Sequence, residues 1–141
     1  MPVPRRLHVH VRCHRILPID AKVPHHRVFR RVLNAVEFDA VFVQFYNNAC
    51  SLPNYSNANA WDFGSWDTWA KTVAPNKNVK VYIGALASST AGTSGYVDST
   101  TLINIALETR SKYSSFGGVM LWDASQAYGG SLLDFLQKIV R

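Results

Sequence analysis

Gln44 and Tyr46 are two residues apart and therefore leave the same face of an extended strand, with Asn47 directly after them. Tyr46 falls at the C-terminal end of that strand, the end at which parallel β/α folds assemble their sites, although a buried tyrosine with one hydrogen-bond partner is also a common core residue. Trp122 shares a strand face with Met120 and closes its own strand, so its ring could floor a binding site; a bare strand tryptophan is more often core. Asp123, beside it, could bind a polar ligand or simply cap the loop that follows. Proton donors are scarce, because the only glutamates are Glu37, just before a strand, and Glu108, in the middle of a helical pattern. His8, His10, His14, His25 and His26 lie near Cys13, but their spacings match no common zinc pattern, and no metal and no cofactor are expected. Cys13 and Cys50 permit one disulfide, and Asn54-Tyr55-Ser56 is a glycosylation sequon in a polar stretch.

The elements that would position these residues can be read from periodicity. Ala40 to Tyr46 is a short, nearly continuous apolar run rich in β-branched and aromatic residues, which predicts a buried strand. After a loop from Asn47 to Asn59, Phe63, Trp66, Trp69 and Val73 recur every three or four residues and predict a helix over 62–73, with Trp61, Trp66 and Trp69 assigned to packing. Lys80 to Leu86 reads as a second strand. A helix follows, with Asp98 or Ser99 as its cap and Leu102, Ile103, Ala106, Leu107 and Arg110 continuing the period to about Tyr113. Gly118 to Trp122 reads as a third strand, and Leu132, Leu133, Phe135, Leu136 and Ile139 suggest a last helix beyond Gly129-Gly130. Strands starting near 40, 80 and 118 are far enough apart for parallel pairing through crossover helices. The fold class is α/β, with about three β/α units.

Composition draws a boundary near Val36. Residues 1–36 hold eight Lys or Arg, all five His and one acid, Asp20, whereas residues 37–141 are close to neutral, so the chain's formal charge of +6 belongs to its first quarter. That segment reads as a basic leader, disordered or unrelated to the rest. Its charge could attract polyanions, but with the excess confined to the leader no nucleic-acid partner is expected. No run approaches the roughly 18 apolar residues of a membrane span, and no signal peptide is visible at Met1 to Arg6, so no membrane association is expected.

Three segments in order carry a family resemblance. Phe38-Asp39-Ala40-Val41-Phe42-Val43-Gln44-Phe45-Tyr46-Asn47-Asn48 resembles the sixth strand of family 18 glycoside hydrolases of the fungal and plant class III chitinase type. Gly84-Ala85-Leu86-Ala87-Ser88 resembles the seventh, and Gly117-Gly118-Val119-Met120-Leu121-Trp122-Asp123-Ala124-Ser125 the eighth. The resemblance implies that residues 37–141 are the C-terminal part of a (β/α)8 TIM barrel. It further implies an extracellular parent that cuts β-1,4 bonds between N-acetylglucosamine units in chitin with retention, the substrate's own acetamido oxygen serving as nucleophile. On this likeness the Tyr46 hydroxyl stabilises the acetamido group, Gln44 and Asn47 bind beside it, and Trp122 stacks under the sugar.

The sequence departs from the family in two places. The Asp-x-x-Asp-x-Asp-x-Glu strand that supplies the family's acid does not occur, so the chain alone is expected to be inactive and to need the missing barrel half for a closed fold. The Cys-Pro-aromatic-Pro-Asp stretch, whose cysteine pairs with the one after Asn-Asn, is also absent, which leaves the pairing of Cys50 open. The expected partner is chitin or a chitooligosaccharide, either as substrate of a parent chitinase or as ligand of a non-catalytic binding protein.

Overall fold

A computed structural model of the chain describes residues 7–13 and 24–127, with side chains from residue 29 onward in the second stretch. The order is β1 (His8–Arg12), α1 (Pro24–Ala35), β2 (Ala40–Gln44), a short 3-10 turn (Leu52–Asn54), α2 (Phe63–Thr72), β3 (Lys80–Leu86), α3 (Ser99–Lys112), β4 (Phe116–Trp122) and α4 (Ala124–Ala127). The strands form one sheet in the order β1-β2-β3-β4, and every neighbouring pair is parallel. Sequential parallel strands with helical crossovers are the repeating unit of β/α barrels.

The two faces of the sheet differ in kind. Val41, Val43, Val81 and Ile83 have no solvent exposure and join Phe63, Trp66, Trp69 and Ala70 of α2 and Leu102, Ile105 and Ala106 of α3 in one apolar core. The other face carries His8, His10, Phe42 and Tyr82, whose rings run across the strands: the centroid of Phe42 lies 4.9 Å from that of His10 and 5.0 Å from that of Tyr82. This second face is the one a closed barrel turns inward. Gly84 belongs to it and allows close strand approach, since a Cβ there would lie 2.6 Å from the Val43 carbonyl oxygen.

Three of the four strands stand where periodicity put them; β1 was not foreseen. The segment 1–36, expected to be a disordered or unrelated basic leader, contributes both β1 and α1 among its described residues. His8-Val9-His10-Val11-Arg12 alternates polar and apolar side chains, placing Val11 in the core at 3% exposure and the polar side chains on the inward face, so its polar content hid a period-two pattern. Pro24 opens α1, a position where its missing N–H costs nothing. Leu33 of this helix is buried, and Asn34 accepts a 3.0 Å bond from Trp69 Nε1 of α2.

Asp98 caps α3, accepting from Thr101 N at 3.0 Å and from the Thr101 hydroxyl at 2.6 Å. Two residues assigned to apolar helix stripes are instead exposed. Val73 is the residue at which α2 ends, and Leu107 points away from the sheet while Ile105 takes the inward position. The helix expected beyond Gly130 lies outside the described residues.

Candidate functional site

The carboxyl ends of β2, β3 and β4 open onto three connecting loops. Register aligns Gln44 with Gly84 and Met120, and Leu86 with Trp122, so Tyr46 and Trp122 stand at the same end of the sheet with β3 between them. Two strand spacings of roughly 5 Å each place β2 and β4 about 10 Å apart on either side of β3.

Tyr46 is nearly buried at 7% exposure, and this burial pushes its phenol above the ordinary value, keeping it a neutral hydrogen-bond donor. Its backbone is clamped from two sides. Asn48 Nδ2 donates to the Gln44 and Tyr46 carbonyls at 2.7 and 2.9 Å, and Gln44 Nε2 donates to the Tyr46 carbonyl at 2.9 Å. From the other side Gly95, at φ 97°, brings the β3–α3 loop so close that a Cβ there would lie 2.7 Å from Tyr46 Cα. A left-handed φ and this approach both require glycine.

Asn47 has a positive φ of 56°, and its Oδ1 accepts from Thr93 N at 3.0 Å, the Thr93 hydroxyl at 2.9 Å and Ser94 N at 2.9 Å. Its carbonyl oxygen thus stitches two site loops together, and what it offers a ligand is its amide nitrogen. Trp122 ends β4 with 47% of its surface exposed, its carbonyl accepting from Ala87 N at 2.8 Å, and the Trp122–Asp123 peptide is cis. Asp123 takes the capping role: its carboxylate accepts from the Ser125 hydroxyl and, at 3.3 Å, from Gln126 N at the start of α4. The Ser125 bond chiefly holds its pKa below the ordinary value. Gln126 Oε1 accepts from the hydroxyls of Ser88 and Thr90, joining α4 to the β3–α3 loop.

Neither glutamate reaches this end. Glu37 is exposed at the entrance to β2, and Glu108 lies on α3, where Lys112 and Tyr55 hydrogen-bond to it; burial, with Glu108 behind it, pushes the Tyr55 phenol up to about 12. Trp66 and Trp69 are buried, and Trp61 packs its ring 4.4 Å from Phe45, as packing residues do. Cys13 and Cys50 form a disulfide with Cα atoms 6.1 Å apart, fastening the end of β1 to the loop after β2. Periodicity could not find Asn48, Gly95 and Gln126; the paired asparagines after a strand are the one local signal of such a backbone clamp.

A parallel β/α sheet with a clamped tyrosine and a solvent-facing tryptophan at its carboxyl end has the layout of one sector of a β/α barrel. No family model matches the chain. It is 54% identical over 97 residues to "Chitinase 2" of Rhizopus oligosporus, covering 69% of this chain and 17% of that protein. It is 46% identical over 97 residues to the "Class III chitinase" of Arthroderma benhamiae, covering 66% of this chain and 29% of that one. Among solved structures it resembles a xylanase and alpha-amylase inhibitor protein from Scadoxus multiflorus, with TM-score 0.64 and 32% identity over 96% of this chain and 44% of that one. Coverage of 96% carries the structural match into residues 1–36. The chain is related to the class III chitinases of glycoside hydrolase family 18, and it spans less than half the length of each of these proteins.

Proposed function

We propose that the chain is the C-terminal part of a secreted chitinase barrel and contributes the sugar-binding half of its site. The observation that carries this reading is the exposed Trp122 ring at the mouth of β4, at the same end of the sheet as Tyr46, whose backbone is clamped. An indole ring is suited to stacking on a pyranose face. A neutral phenol in a low-dielectric setting donates well to an acetamido oxygen as it becomes the nucleophile, and Gln44 and the Asn47 amide add polar contacts. In a complete barrel the leaving oxygen would take its proton from an acid on another strand.

With neither glutamate at the mouth, Asp98 capping α3 and Asp123 capping α4 among the described residues, the chain alone should show negligible turnover. A general acid is worth a factor of roughly 10² to 10⁴, and the rest of the constellation more. The test is hydrolysis of a fluorogenic chitotrioside by the pure chain, then by the chain mixed with a polypeptide carrying the preceding barrel strands and their Asp-x-x-Asp-x-Asp-x-Glu segment. Restored turnover in the mixture supports the reading, and rapid turnover by the chain alone refutes it. A second reading, a non-catalytic chitooligosaccharide binder, is favoured by the likeness to an inhibitor protein. It predicts saturable chitotriose binding that the added half-barrel leaves without turnover.

A further inference from the structure

β1 and β4 are the two ends of the sheet, and each leaves one edge of its backbone without a strand among the described residues. The Leu7 carbonyl accepts from Asp39 N and Cys13 N donates to the Gln44 carbonyl, so the odd-numbered positions of β1 face β2. Alternation then turns the backbone groups of His8, His10 and Arg12 toward the open edge. The inward face is uncovered as well, because α1, α2 and α3 send Leu33, Trp66 and Ile105 into the core on the opposite face. Along the inward face runs the row of His10, Phe42 and Tyr82, with centroids 4.9 and 5.0 Å apart. The row reaches both edges: His10 belongs to β1 itself, and the Tyr82 ring lies over β4, where a Cβ at Gly117 would meet it at 2.6 Å. Open strand edges are templates for further pairing, and four strands are half of the eight that close a β/α barrel.

We propose that the occupant of both edges is a second copy of this chain, the two four-stranded sectors closing on each other as an eight-stranded barrel about a two-fold axis. A partner here must bring four parallel strands with two open edges, and the chain is itself such a partner. β4 of each copy runs beside β1 of the other, parallel, as every neighbouring pair within the chain already is. The two seams are identical and consume both edges, so assembly stops at two chains instead of growing into a fibre. The seam also matches in shape. Gly117 and Gly118 give β4 no side chains of their own beneath the Tyr82 ring, and the strand arriving at that edge carries His8 and His10 to continue the row. Closure buries Phe42 and Tyr82, only half-buried in the single chain, in a packed interior. Arg12, the last residue of β1, stands at the mouth, where its guanidinium keeps its water. The same mouth then carries Tyr46 and Trp122 twice over, one set from each copy. This inference rests on the sheet alone and is independent of the sugar-binding reading.

Sedimentation velocity on the full, disulfide-bonded chain reads its mass in solution. The expected species is a dimer at twice the 15.8 kDa of the single chain, with no larger forms. Hydrogen exchange should find the backbone amides of His8, His10 and Arg12 protected in that dimer, as edge amides left in water are not. His10→Pro, a change an edge strand tolerates, removes one outward N–H and one ring of the row; it should abolish the dimer while circular dichroism retains the helix signal. Should that variant unfold, the exchange pattern of the unaltered chain decides, and a dimer with unprotected β1 amides overturns the proposal. So do a chain that stays monomeric, a ladder of higher oligomers, or a folded His10→Pro chain that remains dimeric. A chain that gains partner mass only when a polypeptide carrying the preceding barrel strands is added overturns it too, and gives the edges to that polypeptide. Turnover in that mixture tests the chitinase reading separately, so the failure of one leaves the other standing.

Discussion

Trp122 keeps 47% of its surface in solvent although it ends a strand, and burial elsewhere does not depend on it. Trp122→Ala should therefore leave the urea midpoint almost unchanged while weakening chitotriose binding by roughly 1 kcal/mol, about fivefold, the scale of one aromatic stacking contact. Fluorescence and calorimetric titrations read both quantities. Gly95 is the opposite case: it touches no ligand, yet its Cβ would meet the backbone of Tyr46. Gly95→Ala should destabilise the fold by about 1–2 kcal/mol from the left-handed φ alone, with more from the clash, and should weaken binding through Tyr46. The roles of Tyr46 and Trp122 were proposed from strand ends and motif resemblance, which a sequence displays. The work of Gly95 and of the Asn47 side chain was not legible, because it depends on which loops approach one another across some 50 residues of chain.

Asp67 of α2 makes one polar contact within its helix and one that ties the helix to the sheet. Its carboxylate pairs with Lys71 at 2.5 Å and accepts from Ser115 N, at the entrance to β4, at 3.1 Å. Burial pushes this carboxyl up, but the Lys71 and Ser115 bonds outweigh it and leave the native pKa lowered. A lowered native value makes the contribution to stability full above the ordinary carboxylate range and lost as the pH falls through the native value. Asp67→Ala should cost about 1–3 kcal/mol at neutral pH by stranding a buried N–H, and should flatten the acid limb of the stability curve, measured by urea unfolding across pH. Helix α2 itself was legible from its aromatic spacing, and α3 from Asp98 and its stripe. Strand β1 was not, because five residues of which three are polar, two His and one Arg, resemble a solvated tail until a neighbouring strand shows which face each occupies.

At the scale of the molecule, the disulfide joins the first strand to the loop after the second across a sequence separation of 37. In the chain-entropy picture a loop of this length is worth about 4 kcal/mol, so Cys13→Ser should lower thermal stability by several degrees or more, as calorimetry would show. The parallel sheet also constrains how the molecule is made. His8 pairs with Ala40, Ala40 with Lys80 and Tyr82 with Gly118, so among the described residues no ladder joins positions close in sequence and no hairpin is available to start one. Each strand must wait for its crossover helix, and the entropy of closing every loop falls due before the ladder gives anything back. Acquisition of this sheet is accordingly a slow event on the millisecond-to-second scale of non-local topologies, with apolar strand edges exposed to other chains while it proceeds.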